Sequence, residues 1–442
     1  MKKAKTGVYR CSSCGHEETK WLGRCPECGE WNTLTESAVS AAALRVHSHA
    51  QSFPLSSVDP EEGSRISSGM AELDRVLGGG IMKRSAVLLG GEPGIGKSTL
   101  LLLVSVRAAT KGRVLYISAE ESAGQVRTRA DRLGLAGSTG IDRIEICCTG
   151  RLEDILVLLD AVKPVLIMAD SAQTLHTDAA GPSPGTVNQM KFCSYELISW
   201  AKEHDAALFL AAHVTKDGII SGPKTLEHMV DTVLYFEQGE GGSAAGDCRF
   251  LRAVKNRFGS VDEIGIFTME EKGLIMVEDP SSLFLVRREG ALPAGIAIAA
   301  VIEGTRTLLV EIQALTVPAK GAVSRVFSLA VENGRVSRVA AALEKHLGLR
   351  LSDQDIYVNV AGGIRITEVG VELAVAAAIY SSRTGIALKR QEAIAGELSL
   401  AGEVLPVRRL ANRSKAALGL GFTLVTAKDL KSAVTLLFGS GG

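Results

Sequence analysis

The chain alternates short apolar runs with longer segments of helical character. Ala86-Val87-Leu88-Leu89 reads as a buried strand, and Ser98-Thr99-Leu100-Leu101-Leu102-Leu103-Val104 as the apolar helix that follows it. Gly69 to Asp74 opens an amphipathic helix that stops at Gly78-Gly79-Gly80. Val114 to Ser118, Pro164 to Asp170 and Leu208 to His213 are further buried strands. Between the first two of these lies a helix carrying Arg127, Arg129 and Arg132. A second set begins after Pro280-Ser281-Ser282. Its strands are Gly295 to Ile302, Leu308 to Leu315 and Ile356 to Val360. Its helices are Ser337 to Leu347 and the Ala-rich Glu368 to Ser381, and the run Leu398 to Val407 precedes a further helix. Strands alternating with helices predict an α/β architecture in both sets. Residues 35–52 break the pattern, Ala-rich first and then polar around His47 and His49, and read as a linker. The predicted organisation is a module at 1–34, a linker at 35–52, one α/β domain at 53–280 and another at 281–442.

The turn between the first strand and its helix carries the clearest chemistry. Gly91-Glu92-Pro93-Gly94-Ile95-Gly96-Lys97-Ser98 fits G-x-x-x-x-G-K-[ST], the phosphate-binding loop of P-loop NTPases. Glycines let backbone N–H groups curl around phosphates, and the helix N-terminus adds partial positive charge. Lys97 is placed to reach the β- and γ-phosphates of ATP, and the Ser98 hydroxyl, beside Thr99, to ligate Mg²⁺. Asp170, ending an apolar strand downstream, fits the acid that holds Mg²⁺, since ligands bind at strand C-termini in open α/β sheets. His213 ends the next strand. It could sense the γ-phosphate or simply hydrogen-bond locally.

Composition narrows the alternatives. The 442 residues suffice for two or three domains, and 46% hydrophobic with 22% charged residues is an ordinary soluble balance. Zero formal net charge excludes a global polycation surface, and 5% aromatics argues against base stacking as the main binding mode. The basic start Met1-Lys2-Lys3-Ala4-Lys5 lacks an apolar stretch behind it, so no secretory signal is read. The run Ala294 to Ile302 is too short to span a membrane. A cytoplasmic setting follows. One segment, from Arg383 to Lys431, holds nine Lys or Arg against four acids, net +5, and suggests a basic face.

Four of the eight cysteines pair as Cys11-x-x-Cys14 and Cys25-x-x-Cys28, with ten residues between. Two such knuckles give a tetrahedral four-thiolate zinc site, and Zn²⁺ would supply most of the folding energy of so short a module. A strand–helix context for a redox reading is absent. Trp21 and Trp31 are expected to pack on the knuckles, and His16 to lie at the surface. Two polar loops, His176 to Gln189 and Thr215 to Lys224, follow strand C-termini. In Lys255-Asn256-Arg257-Phe258-Gly259 two cations flank an Asn. They form either a charged strand edge or a finger for a neighbouring subunit's ATP site.

This order of modules resembles the RadA/Sms family of bacterial DNA repair and recombination proteins over nearly the whole chain. Lys255 to Gly259, His213-Val214-Thr215-Lys216 and Leu226 to Phe236 are similar to that family's peptides. The resemblance implies a RecA-like ATPase domain, a four-Cys zinc module and a Lon-protease-like C-terminal domain. It further implies a hexameric ring on single-stranded and branched DNA. Such a ring would use ATP to drive branch migration together with the RecA recombinase. Glu120 takes the position of the carboxylate that orients the attacking water, with Glu121 as its rival. Lys255 and Arg257 resemble cations sent into the adjacent subunit's site. The two polar loops match DNA-contacting loops, and Lys216 and Lys224 are their backbone-binding candidates. Gly370 and Ala411 fall where the peptidase would need its serine and lysine, so the C-terminal domain is expected to be non-proteolytic. Two rival functions remain: an ATP-dependent protease, and a RecA-type scaffold or signalling ATPase indifferent to DNA.

Overall fold

The computed structural model describes residues 8–18, 20–37, 54–57, 64–181, 185–213, 225–239, 248–277, 279–286, 288–319, 321, 324–389 and 391–439. It divides into two units. The first comprises residues 1–236, 251–261 and 272–274, and the second 237–250, 262–271 and 275–442.

The first unit opens with a small ribbon. Val8–Cys11 pairs antiparallel with Glu17–Glu18 on one side and Leu34–Ser37 on the other. Its buried apolar residues are Cys11, Cys25 and Leu34, with Tyr9 and Cys14 packed beside them. So small a core has no room for two indoles. Trp21 is 56% and Trp31 71% exposed, so they lie on the surface of the module, with both indoles beside Gly23 and the Arg24 guanidinium over the Trp31 ring. The expected linker residues 38–52 lie outside the described residues.

Behind the ribbon, six strands form a parallel array in the order Thr232–Gln238, Ala86–Gly91, Ala207–His213, Leu166–Asp170, Val114–Ser118, Ile144–Cys147. Runs of consecutive buried residues, such as all six of Ala86–Gly91, are what a strand covered on both faces requires. The helices Leu152–Val162 and Val187–Glu203 bury Ile155, Leu159, Cys193 and Leu197 against one sheet face. The helix Lys97–Ala108 starts directly from the phosphate loop and packs on the sheet as well. Because every strand runs the same way, all the strand C-termini that carry candidate site residues meet at one edge. The strand Ala207–His213 lies between the loop strand and the Asp170 strand, which puts His213 between them.

The second unit has a six-stranded mixed sheet in the order Val326–Ser328, Gln354–Val360, Arg306–Pro318, Ile296–Glu303, Glu392–Ile394, Thr423–Val425. The central Arg306–Pro318 pairs antiparallel with both of its long neighbours, and the flanking pairs are parallel. The helices Asn333–Leu347 and Glu372–Thr384 bury their apolar faces, with Val336, Val339, Leu343, Val375 and Ile379, in the main core of this unit. The second helix begins later than its sequence suggests. A 3-10 turn, Val369–Val371, precedes it, and the Glu368 carboxylate accepts the Gly370 N–H there. The basic segment contributes less surface charge than expected, because Arg413 is 1% exposed and paired with Glu368.

Candidate functional site

The phosphate loop leaves its strand at Gly91. No side chain fits at Gly91, because a Cβ there would stand 2.8 Å from the Phe236 carbonyl oxygen. Gly94 and Gly96 take φ of 80° and 113°, left-handed values that turn the chain into the helix at Lys97. The ammonium of Lys97 folds back into this turn. It donates to the Gly91 and Glu92 carbonyls at 2.8 and 2.9 Å and lies 3.4 Å from His213 Nδ1. Burial lowers its pKa, and the charges of Asp170 and Glu120 oppose that shift. Lys97 is therefore a cation held by neutral oxygens, with two carboxylates within electrostatic reach.

Asp170 and Ser118 sit side by side at the ends of paired strands. The Tyr116 hydroxyl donates to Asp170 Oδ2 at 2.9 Å. Burial, then the Asp170 charge and hydrogen bond, push the Tyr116 pKa well above its ordinary value, so this phenol stays a proton donor. Ser171 Oγ donates to Glu120 Oε1 at 2.6 Å, and His213 Nε2 lies 3.7 Å from the same oxygen. Glu120, Ser171, His213 and Lys97 thus form one connected cluster. Glu121 is turned elsewhere, into an ion pair with Arg129. The sequence pattern gives no role to Tyr116 or Ser171, and marks Arg129 only as one of three cations on its helix. Tyr116 had a usable signal: a hydroxyl inside an otherwise apolar strand must find a partner.

The Lys255-to-Gly259 peptide is anchored within its own chain. Lys255 Nζ donates to the Glu227 and Val230 carbonyls at 2.8 Å each, at the end of the helix Thr225–Met229. Arg257 Nη1 stands 3.3 Å from Oδ1 of the buried Asp231, with 59% of its side chain exposed. Asn256 donates to the Val76 carbonyl and accepts the Phe258 N–H. Lys216 and Lys224, the DNA-contact candidates, lie outside the described residues, as do residues 182–184 of the other polar loop.

In the ribbon the four sulfurs of Cys11, Cys14, Cys25 and Cys28 lie within 4.8 Å of one another. The pairs Cys11–Cys28 and Cys14–Cys25 are separated by 3.6 and 3.5 Å. Ligands about 2.3 Å from a tetrahedral zinc stand about 3.8 Å apart, so the thiols fit Zn²⁺. Each knuckle closes by the same bond: the N–H of Gly15 to the Cys11 carbonyl, and that of Gly29 to the Cys25 carbonyl, both 2.9 Å. Burial, then the neighbouring thiols, pushes the Cys14 thiol up to about 12 against the His16 amide. Cys11 is also pushed up by burial, but its hydrogen bond with Thr33 and those from the Cys14 and Ser13 amides outweigh it and bring the thiol down to about 6. Four thiols that repel one another as thiolates are stabilised together only by a cation at their centre.

A phosphate loop and acids gathered at the C-terminal edge of a parallel sheet, behind a four-cysteine zinc-binding module, define a RecA-like P-loop ATPase. Comparison with known proteins agrees on the metal-binding module and the ATPase. Residues 9–36 match the family model of the rubredoxin metal binding domain, 54–218 that of an AAA domain, and 326–427 that of subunit ChlI of Mg-chelatase. The DNA repair protein RadA of Treponema pallidum (strain Nichols) is 53% identical over 431 residues, 96% of this chain and 92% of the relative. Those of Brucella abortus (strain 2308) and Bacillus subtilis (strain 168) are 45% and 42% identical, over 95% and 96% of this chain and 91% and 92% of theirs. The chain belongs to the RadA family of DNA repair proteins. Among its described residues no helix is long and apolar enough to cross a membrane.

Proposed function

We propose that the chain is a DNA-dependent ATPase of DNA repair and homologous recombination. In this reading it is a cytoplasmic, ring-shaped, hexameric motor that drives branch migration together with the RecA recombinase. The observation that carries the catalytic half is the cluster of Lys97, His213, Glu120 and Ser171 at the mouth of the phosphate loop. Backbone N–H groups of Gly91 to Ser98 and the N-terminus of the following helix cradle the phosphates of ATP. Lys97 leaves the loop carbonyls for the β- and γ-phosphates, where its charge offsets the charge developing in transfer. Ser98 and Asp170 hold Mg²⁺, which supplies charge neutralisation on the phosphate oxygens. Tyr116 fixes the rotation of the Asp170 carboxylate. Glu120, positioned by Ser171, orients the attacking water and accepts its proton. His213 touches both Lys97 and Glu120, so it can report the state of the γ-phosphate to the loop that follows it.

Lys255 and Arg257 serve as the cations reaching an adjacent subunit's nucleotide. Arg257, mostly exposed, is the readier of the two. Lys255 must first give up the helix-end carbonyls it now caps. Lys216 and Lys224 are assigned to the DNA backbone.

The module boundaries at 34, 52 and 280 are proposed as read from sequence. The C-terminal domain, Lon-protease-like in this reading, does no peptide hydrolysis. At the nucleophile position, a Cβ on Gly370 would meet the Glu368 carboxylate and stand 3.2 Å from Arg413 Nη1. Ser381 donates to the Ile386 carbonyl and accepts the Gly295 N–H, and Ser382 accepts the Thr316 N–H, so both are tied to backbone.

The test is branch migration of a labelled three-strand joint by the purified protein with RecA present. ATP-dependent movement that vanishes in Lys97→Ala supports the motor. Movement that is absent in the wild type, while ATP is hydrolysed at the same rate with or without DNA, favours the scaffold reading.

A further inference from the structure

One face of the C-terminal sheet is covered only in part. Over its Ile296–Glu303 side, the helix Leu410–Gly419 and Leu285 close on Ile298, Ala300 and Leu309. Over the three strands Arg306–Pro318, Gln354–Val360 and Val326–Ser328 it stays open, around a cavity of about 460 Å³. That size lies within the roughly 300–1,000 Å³ of small-ligand pockets. Strand register puts Leu315, Tyr357 and Phe327 in one row across the three strands, and Gln313 beside Asn359 in the next. The Phe327 and Tyr357 rings stack, with centroids 4.9 Å apart and planes 11° from parallel. Leu315 is 55% and Leu329 75% exposed, a large apolar surface to leave in water.

The polar groups of the cavity are set in orientation. Arg288 forks onto Glu311 with bonds of 2.5 and 2.7 Å. Glu311 can then only accept, and it takes Gln313 Nε2 at 2.7 Å. Gln313 Oε1 in turn takes Asn359 Nδ2 at 3.3 Å. The relay fixes the Asn359 carboxamide with one amide hydrogen and its oxygen remaining, the donor–acceptor pair that reads a base edge. Among the described residues lining the cavity none is acidic, and the Arg325 guanidinium stands over the Phe327 ring at 6.0 Å. An aromatic stack, a neutral carboxamide and a flanking cation match an uncharged heteroaromatic ring attached to a phosphate.

The geometry points to a base-stacking subsite on the C-terminal domain, in which an unpaired nucleobase of a DNA strand extends the Phe327–Tyr357 stack, Asn359 takes its edge and Arg325 its phosphate. It rests on the proposed action on DNA and deepens it, because it gives the C-terminal domain a direct hold on single strands that is independent of the phosphate loop. Few aromatics are needed for one such subsite.

The experiment measures binding of the full chain to a fluorescent single-stranded oligonucleotide and to the same length of strand with abasic sites at its centre. Wild type is compared with the double variant Phe327→Ala/Tyr357→Ala and with Tyr357→Phe. On the intact strand the double variant is expected to bind about tenfold more weakly and Tyr357→Phe to match wild type. On the abasic strand wild type and double variant should bind alike. DNA-free ATP hydrolysis and the sedimentation of the protein should be unchanged. Equal binding of the intact strand by wild type and double variant overturns the subsite alone. So does an equal deficit on both strands, or a changed oligomeric state, which would make this face a contact between copies of the chain. A wild type that binds neither strand overturns the DNA reading and the subsite together.

Discussion

Two buried cations sit in opposite circumstances. Lys97 is 5% exposed, and the groups that touch it are carbonyl oxygens and one imidazole, with the carboxylates of Asp170 and Glu120 acting from further off. Arg413 is 1% exposed and saturated. It forks onto both oxygens of Glu368 at 2.6 and 3.0 Å and donates to the Ala300 and Arg408 carbonyls. Glu368 in turn accepts the N–H groups of Ile302 and Gly370. A charge meant for a ligand is left under-neutralised, and burial then pushes its pKa down. A charge meant for architecture is closed off by partners. That contrast separates the working end of the first unit from the filled position of the second.

Several substitutions would break or sharpen this contrast. Glu368→Ala leaves the Arg413 guanidinium buried without its partner, and about 3–5 kcal/mol of stability should go from the C-terminal unit. Thermal unfolding would read it as an earlier transition. An unshifted transition would mean that the pair contributes nothing. Lys97→Ala should leave the melting profile nearly intact while ATP hydrolysis drops by about 100- to 1,000-fold. If stability fell as it does for Glu368→Ala, Lys97 would be structural too. Next in size is the acid pair. Glu120→Gln should keep ATP binding and slow hydrolysis about 100-fold, whereas Glu121→Gln, losing only a partly exposed ion pair with Arg129, should stay within a few-fold. Single-turnover rates decide between them, and the reverse order would move the water-orienting role to Glu121. The smallest effect belongs to Lys255→Ala. It removes the cap of a short helix, about 1 kcal/mol, and should depress DNA-stimulated hydrolysis with ATP affinity unchanged in the isolated subunit. Lost ATP affinity there would remove Lys255 from any role between subunits.

How much could be read in advance follows the range of each interaction. The phosphate loop and the zinc knuckles were legible because local turns build them from residues a few positions apart, with glycines at the required φ. The α/β character of both units followed from short apolar runs alternating with helical segments. The choice between Glu120 and Glu121 could not be made from residues alone, since both follow the same strand. Only Ser171, 51 residues from Glu120, and Arg129, eight residues from Glu121 on the helix that follows, turn them different ways. The Arg413–Glu368 pair spans 45 residues, and Arg413 had been counted with a basic surface because sequence does not show burial. Trp21 and Trp31, expected to pack on the knuckles, stay more than half exposed because the core beneath them is too small to cover two indoles.

The measurement closest to the central claim is the rate of ATP hydrolysis by the purified chain with and without single-stranded DNA, with Lys97→Ala as control. The account predicts a rate that rises several-fold with DNA, falls again at high salt as phosphate contacts are screened, and is absent in the control. A wild-type rate indifferent to DNA, or a control as active as wild type, would contradict it.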